Sequence, residues 1–199
     1  MSTRRRSGPH PDLSSPLVFD ITRLGRRPGS MMTVSQTVPS PLRIGLDLIA
    51  IEPGAEMDLD LRFESVSEGV LVSGTVHAPT RGECSRCLGP ITDQVEIELT
   101  ELFAYPDSVT ESTTESDEFG RVIDETVDLA QSIVDAVGLA LPFVALCAQD
   151  CPGLCPQCGV ALAGAETGHH HEQIDPRWAK LAQMRPADSD GADRDGTLS

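Results

Sequence analysis

Apolar and polar residues alternate along three stretches in the middle of the chain, and this period of two predicts β-strands buried on one face. The clearest stretch is Met57–Glu64, where every second residue is apolar. After a turn signal at Glu68-Gly69, the alternation continues over Val70–Ala78 and resumes over Gln94–Thr100. Such strands, with polar outer faces and short connections, form an antiparallel meander.

A helical pattern follows the strands. Apolar residues recur at helical spacing from Leu129 to Leu141, which gives a broad apolar stripe. Asp128 is a candidate N-cap with Gln131 three residues later, and Pro142 disfavours continuation of the helix. The sequence therefore predicts an α+β fold, with an antiparallel β meander and one main helix.

Shorter patterns complete the assignment of elements. Leu17–Ile21 and Leu42–Ile51 are further strand candidates. Asp107–Gly120 is acidic, rich in Ser and Thr and aperiodic, so we interpret it as a solvated loop. Asp175–Leu181, with Pro176 in its first turn, could form a short terminal helix.

Charge and composition suggest where the domain begins and ends. The chain has 199 residues and a net charge of −16, yet residues 1–50 contain seven Arg and three Asp, whereas residues 51–130 contain four Arg and nineteen acidic residues. We interpret residues 1–15 as a disordered basic arm and residues 186–199 as a disordered polar tail. Residues 17–184 remain as one domain, which is a size that can bury a core.

Six cysteines, in two groups along the sequence, are the most specific indication of chemistry in this chain. The first sequence group is Cys84-x2-Cys87, and the second sequence group is Cys147-x3-Cys151-x3-Cys155-x2-Cys158. Paired Cys-x2-Cys knuckles present thiolates to a tetrahedral metal, and zinc suits all-thiolate sites best. The spacing matches neither common pattern for an iron–sulfur cluster. The sequence therefore predicts a structural zinc-knuckle cysteine cluster that uses these six residues.

The spacing leaves the ligand set open. The two knuckles could pair, so that Cys84, Cys87, Cys155 and Cys158 bind one ion. The four cysteines of the second sequence group could instead bind one ion alone, which would leave Cys84 and Cys87 as a redox pair. As a third arrangement, Cys147 and Cys151, about one helical turn apart, could join the first knuckle. A secreted protein with three disulfides is disfavoured because no signal peptide is evident.

Histidines and arginines also lie near the cysteines in the sequence. Consecutive histidines cannot easily converge on one ion, so we interpret His169–His171 as a solvated loop. Arg81 and Arg86 flank or lie within the first knuckle, and phosphate binding needs clustered cations even in an acidic protein, with ordinary solvated arginines as the open alternative. They are the candidate nucleic-acid contacts.

The remaining patterns exclude several classes of function. No apolar run is long enough for a signal peptide or a membrane span, so we expect a cytoplasmic protein without a membrane partner. We find no nucleophile–base pattern and no glycine-rich phosphate loop, so we expect neither catalysis nor a small-molecule substrate.

The cysteine motifs and their surroundings resemble the YceD family of large ribosomal RNA subunit accumulation proteins. The resemblance is carried by Cys84-Ser-Arg-Cys87-Leu88 after a β meander, by the helix ending in Leu139-Ala-Leu-Pro142, and by the segment 146–159 with its C-x3-C-x-G-L-C-P-x-C-G pattern. Asp175-Pro-Arg-x-Ala-x-Leu181 is similar to the family's C-terminal signature. The resemblance covers residues 17–184, and Ala163 departs from it where an asparagine is common.

The resemblance implies a cytoplasmic bacterial protein that supports accumulation of large-subunit rRNA. It also implies metal binding, suspected RNA binding and an association with a small zinc-ribbon protein of the large ribosomal subunit. We therefore interpret the chain as a non-enzymatic ribosome-biogenesis factor that contains structural Zn²⁺ and binds rRNA or a ribosomal protein. The alternative is a cytoplasmic thiol redox or metal sensor that uses the Cys84-x2-Cys87 dithiol.

Overall fold

The structure of the protein is a computed structural model that describes residues 12–113, 119–171 and 177. The chain divides into two compact units, which meet in sequence between Gly153 and Leu154. The first unit contains the sheet and the main helix, and the second contains the C-terminal knuckle. The single domain expected over residues 17–184 stays a prediction.

Strands dominate the first unit. In chain order, the strands and helices are β1 Val18–Asp20, β2 Met31–Pro39, β3 Ile44–Gly45, β4 Ile49–Ile51, β5 Glu56–Ser65, β6 Gly69–Glu83, β7 Pro90–Ala104, α1 Val109–Thr113, β8 Gly120–Arg121, β9 Thr126–Asp128 and α2 Ala130–Ala140. The main sheet has the order β2-β5-β6-β4-β3, with β7 on the other edge of β6 and β8 parallel to β7. β1 and β9 form a separate antiparallel pair.

A long hairpin, β6–β7, is the centre of the sheet. Its strands pair in register along 15 residues each, from Gly69 opposite Ala104 to Glu83 opposite Pro90. Alternate residues of β5, β6 and β7 are buried, as the period of two predicts. The inward side chains on these three strands include Met57, Leu59, Leu61, Phe63, Val72, Val76, Val95, Ile97 and Leu99.

The main helix covers part of this apolar face. α2 buries Ile133 and Val137 and packs against β7 and β3. Its first turn is held by Asp128, whose Oδ1 accepts a hydrogen bond of 2.9 Å from the Ala130 N–H. The Gln131 side chain donates to Asp135 rather than returning to the cap, so the expected capping-box pair is not formed. The helix ends at Ala140, two residues before Pro142.

The α+β class with a mostly antiparallel sheet, one main helix and a cysteine cluster is confirmed. The sequence did not predict β2, which is largely exposed and is held by its register with β5. Within the expected loop at 107–120, residues Val109–Thr113 form a short helix, whose Val109 N–H and Thr110 N–H donate to Glu68 Oε2. The expected terminal helix at 175–181 lies outside the described residues, apart from Arg177.

Within the described part of the chain, no helix is long and apolar enough to cross a membrane.

Candidate metal centres

The first knuckle forms the tip of the β6–β7 hairpin. The Cys84 N–H donates to the Gly89 carbonyl at 2.8 Å, and the Leu88 N–H donates to the Cys84 carbonyl at 2.8 Å. Leu88 reaches this position with a φ of 58°, in the left-handed region that most residues avoid. The two bonds close a tight loop with Cys84 and Cys87 on it. The sheet therefore fixes where these two sulfur atoms lie.

The segment after α2 brings two more cysteines to the hairpin tip. The Ala145 carbonyl accepts hydrogen bonds from the N–H and the hydroxyl of Ser85, at 2.9 and 3.0 Å. The Arg86 guanidinium donates to the Cys151 carbonyl at 3.1 Å. These contacts place Cys147 and Cys151 beside the first knuckle.

Together, Cys84, Cys87, Cys147 and Cys151 form the first cluster. The sulfur atoms lie 3.8 Å apart for Cys84 and Cys151 and 3.7 Å apart for Cys87 and Cys147, and all four lie within 4.8 Å of one another. A disulfide needs about 2.05 Å, so these thiols are free. Cys84 and Cys151 are buried, whereas Cys147 is exposed. One metal ion could contact all four sulfur atoms.

The second knuckle repeats the backbone pattern of the first. The Cys155 N–H donates to the Val160 carbonyl at 2.8 Å, and the Gly159 N–H donates to the Cys155 carbonyl at 2.8 Å. Gly159 stands where Leu88 stands in the first knuckle and has a φ of 73°. Glycine adopts this conformation without steric cost, as the Cys-Pro-x-Cys-Gly motif predicts.

Two histidines complete a second cluster around this knuckle. The Nε2 atoms of His169 and His171 lie 3.4 and 3.2 Å from the Cys158 sulfur and 3.1 Å from each other. With the Cys155 sulfur, these atoms all lie within 4.8 Å of one another. The His170 ring is held instead by a 2.7 Å contact between its Nδ1 and the Gly168 carbonyl. The second cluster is thus Cys155, Cys158, His169 and His171, which could also hold a metal ion.

Hydrogen bonds shift the pKa values of Cys84, Cys155 and Cys147, and not in the same direction. Backbone N–H groups, chiefly of Cys147 and Cys87, lower the pKa of Cys84 from 9.0 to about 6. The N–H groups of Cys158 and Gln157, followed by the His169 side chain, lower the pKa of Cys155 to about 6. By contrast, hydrogen bonds to the Cys151, Cys87 and Cys84 sulfur atoms raise the pKa of Cys147 to about 12. Each cluster therefore has one thiol that favours the thiolate, the form that binds metal.

The geometry selects among the arrangements that the spacing left open. The first knuckle meets Cys147 and Cys151, which is the third arrangement, whereas Cys155 and Cys158 group with His169 and His171. The structure also brings His169 and His171 to the Cys158 sulfur, whereas the interpretation of His169–His171 as a solvated loop stays a prediction. The chain turns at Gly168, with a φ of 87°, immediately before these histidines. The His-x-His pattern eleven residues after Cys158 was the signal for this contact.

The two candidate nucleic-acid contacts occupy different settings. Arg81 is exposed on β6, opposite Thr92 of β7. Arg86 is exposed at the hairpin tip, but its guanidinium also holds the Cys151 carbonyl. Arg86 therefore has a structural contact in addition to any contact with a ligand.

A mostly antiparallel sheet whose central hairpin ends in a cysteine knuckle, followed along the chain by a second knuckle, defines an α+β protein with two candidate metal centres. The chain belongs to the YceD family, because the family model described as large ribosomal RNA subunit accumulation protein YceD matches residues 72–185. Membership supports a role in ribosome biogenesis. The matched region contains β7, α2 and all six cysteines.

Relatives from mycobacteria match over most of their length. The uncharacterized protein Rv2926c of Mycobacterium tuberculosis (strain ATCC 25618 / H37Rv) is 67% identical over 178 residues, which cover 89% of this chain and 86% of the relative. The uncharacterized protein ML1660 of Mycobacterium leprae (strain TN) is 58% identical over 176 residues, which cover 88% and 81%. No solved structure matches the chain.

Proposed function

We propose that the protein is a non-enzymatic, cytoplasmic ribosome-biogenesis factor, in which structural Zn²⁺ fixes the hairpin tip as a docking surface for rRNA or a ribosomal protein. The observation that carries this proposal is the family match, which covers the hairpin from residue 72 onward, the main helix and both clusters.

Zinc is the proposed metal of the first cluster because the sulfur geometry suits it. A tetrahedral ion with Zn–S bonds of about 2.3 Å separates its sulfur ligands by about 3.8 Å. Two of the sulfur pairs here are separated by 3.7 and 3.8 Å. Four thiolates without an open position are typical of a structural site rather than a catalytic one. The ion would join the hairpin tip to the segment after α2.

Arginine and apolar side chains near the first cluster supply the proposed rRNA surface. Arg86 lies at the hairpin tip and Arg81 on the adjoining end of β6, both exposed. Just before Cys147, Phe143 is 85% exposed and Val144 is 61% exposed. Cations pair with phosphates, and an exposed aromatic ring can stack on an unpaired base. These features support a small docking patch and not a long track along RNA.

The outer face of the sheet supports the second partner, a basic ribosomal protein. Asp58 and Asp60 of β5 project on the same face as Glu96 and Glu98 of β7, and His77 of β6 lies between Asp58 and Glu96. All five side chains are exposed. This face repels phosphates and attracts cationic segments over about one Debye length, roughly 10 Å. A zinc-ribbon protein of the large ribosomal subunit is the proposed occupant.

Crosslinking in cells tests which of the two surfaces binds a partner. Tagged protein is crosslinked, and the attached RNA and proteins are identified in the wild type, in Arg81→Ala and in Asp58→Asn/Asp60→Asn. Arg62→Ala is the matched control, since Arg62 is an exposed arginine that pairs with Glu64 at 2.8 Å on the same sheet. Loss of large-subunit rRNA reads in Arg81→Ala alone supports rRNA docking, and loss of a basic ribosomal protein in the Asp58/Asp60 variant supports the acidic face. Recovery of neither partner in the wild type contradicts the proposal.

The sensor alternative uses Cys84 and Cys87 as a reactive dithiol. It is less well supported because Cys84 is buried and each of the two sulfur atoms faces a cysteine of the other segment. Thiol titration of metal-loaded protein separates the two ideas. Rapid modification of two thiols favours the sensor, and protection that is lost on chelation favours the structural ion.

A further inference from the structure

We propose that His169 and His171 are metal ligands, and that with Cys155 and Cys158 they bind a second Zn²⁺ ion independently of the first cluster. A borderline divalent cation suits this mixed set, because imidazole and thiolate together are a common zinc donor set. The proposal changes both the number of ions and the ligands expected from the cysteines alone.

The atoms that face one another are the ones that bind metal. Both histidines present Nε2 to the Cys158 sulfur, at 3.4 and 3.2 Å. In a tetrahedral site with Zn–S of about 2.3 Å and Zn–N of about 2.05 Å, sulfur and nitrogen lie about 3.6 Å apart and two nitrogens about 3.3 Å apart. The His169 and His171 nitrogens lie 3.1 Å apart. The cluster therefore has nearly the dimensions that a bound ion would impose.

Local backbone structure holds this arrangement. The two hydrogen bonds of the second knuckle are of the same kind as those of the first, and Leu154 bridges to Ala161 across its base. The His169 N–H donates to the Glu166 carbonyl at 2.9 Å, which forms the turn before the histidines. All four ligands lie within residues 155–171. An ion can therefore be bound here by one short segment of the chain.

His170 shows by contrast that the convergence is selective. Although it lies between the two ligands, its ring contacts the Gly168 carbonyl and is exposed. Extended backbone by itself places the first and third side chains on one side, but here both Nε2 atoms also converge on the Cys158 sulfur and lie 3.1 Å from each other. This provides a control variant within the same three residues.

The test is the zinc content of the full-length protein, measured by native mass spectrometry on protein loaded with zinc and then desalted. We expect two ions per chain in the wild type and in His170→Ala, and one ion in His169→Ala and in His171→Ala. His171→Cys should restore the second ion, because a thiolate replaces the imidazole. Cys147→Ser should weaken the first site and leave the histidine-dependent ion in place.

Loading with Co²⁺ gives a readout of the ligands themselves. The wild-type spectrum should be the sum of a four-thiolate site and a site with two thiolates and two imidazoles, and His171→Ala should retain only the four-thiolate part. One ion or none in the wild type, two ions in the His169 and His171 variants, or equal loss in His170→Ala would each overturn the proposal. These outcomes leave the ribosomal role untouched, because that role is tested by crosslinking.

Discussion

Cys147→Ser is the sharpest test of the ion proposed to hold the hairpin tip to the segment after α2. Cys147 is exposed, so the substitution replaces sulfur by oxygen without burying a new polar group. Its sulfur lies 3.7 Å from that of Cys87 and belongs to the first cluster. The hydroxyl of serine is a poor zinc ligand at neutral pH, so the variant should bind the first ion weakly.

The size of the effect follows from the loop that the ion closes. Cys84 and Cys151 are 67 residues apart in sequence and 3.8 Å apart at sulfur. The chain-entropy treatment of a cross-link that closes such a loop gives about 4 kcal/mol of stabilisation. We expect loss of the first ion from the wild type to lower the free energy of unfolding by up to this amount. Cys147→Ser should lose part of it, up to about 4 kcal/mol where the three remaining thiolates no longer hold the ion.

Urea unfolding followed by far-UV circular dichroism measures the loss, with zinc present and again with EDTA. The difference between wild type and Cys147→Ser should be large with zinc and should collapse with EDTA, since the ion then binds neither protein. His170→Ala should follow the wild type in both conditions. A difference that persists in EDTA would mean that Cys147 stabilises the fold by packing rather than by ligation, and the reasoning would be refuted.

Two further predictions concern protons and the core. In EDTA-treated protein, urea titrations should show that the free energy of unfolding rises from about pH 6 to pH 8. The pKa values of Cys84 and Cys155 are about 6 in the folded protein, whereas the ordinary value for cysteine, expected in the unfolded chain, is 9.0. The unfolded chain therefore binds more protons than the folded protein in this interval. This contribution is complete above the unfolded pKa and is lost as the pH falls through about 6, and a flat profile would contradict it. Thr80→Val should raise the melting temperature. The buried Thr80 Oγ1 has no hydrogen-bond partner within the described residues, so replacing this hydroxyl by a methyl group should raise the free energy of unfolding by about 1 kcal/mol. Thr126→Val is the matched opposite case and should destabilise by about 1 kcal/mol, because the Thr126 Oγ1 donates to the Ile123 carbonyl; equal shifts in the two variants would argue against this account.

Most of the central fold could be predicted because it rests on local patterns. The alternation of Met57–Glu64 reappears as a strand with Met57, Leu59, Leu61 and Phe63 inside. β2 escaped prediction because most of its residues are exposed and its apolar residues do not alternate strictly. Its place depends on pairing with β5, which is a contact between distant segments. Periodicity reports burial on one face and is silent where a strand has little to bury.

The candidate metal centres likewise contain parts that the sequence predicts and parts that it does not. Each Cys-x2-Cys knuckle, with Gly159 at positive φ in the second, was recognisable because a knuckle is closed by hydrogen bonds within six residues. The meeting of Cys147 and Cys151 with the first knuckle was one of three arrangements that the spacing allowed. Contacts of Ser85 and Arg86 with the segment after α2 decide it, and these contacts exist only once the hairpin and the helix have packed.

The sequence by itself determined the α+β class, the knuckles and the family, because alternation, turn chemistry and short motifs are set by neighbouring residues. Only the tertiary structure decided which thiols share a cluster, that His169 and His171 face Cys158 while His170 turns away, and that the Arg86 guanidinium is partly engaged. The physical reason is that a ligand set is defined by distances of 3 to 4 Å between side chains. Such distances are fixed by chain closure and packing, which spacing along the sequence constrains but does not select.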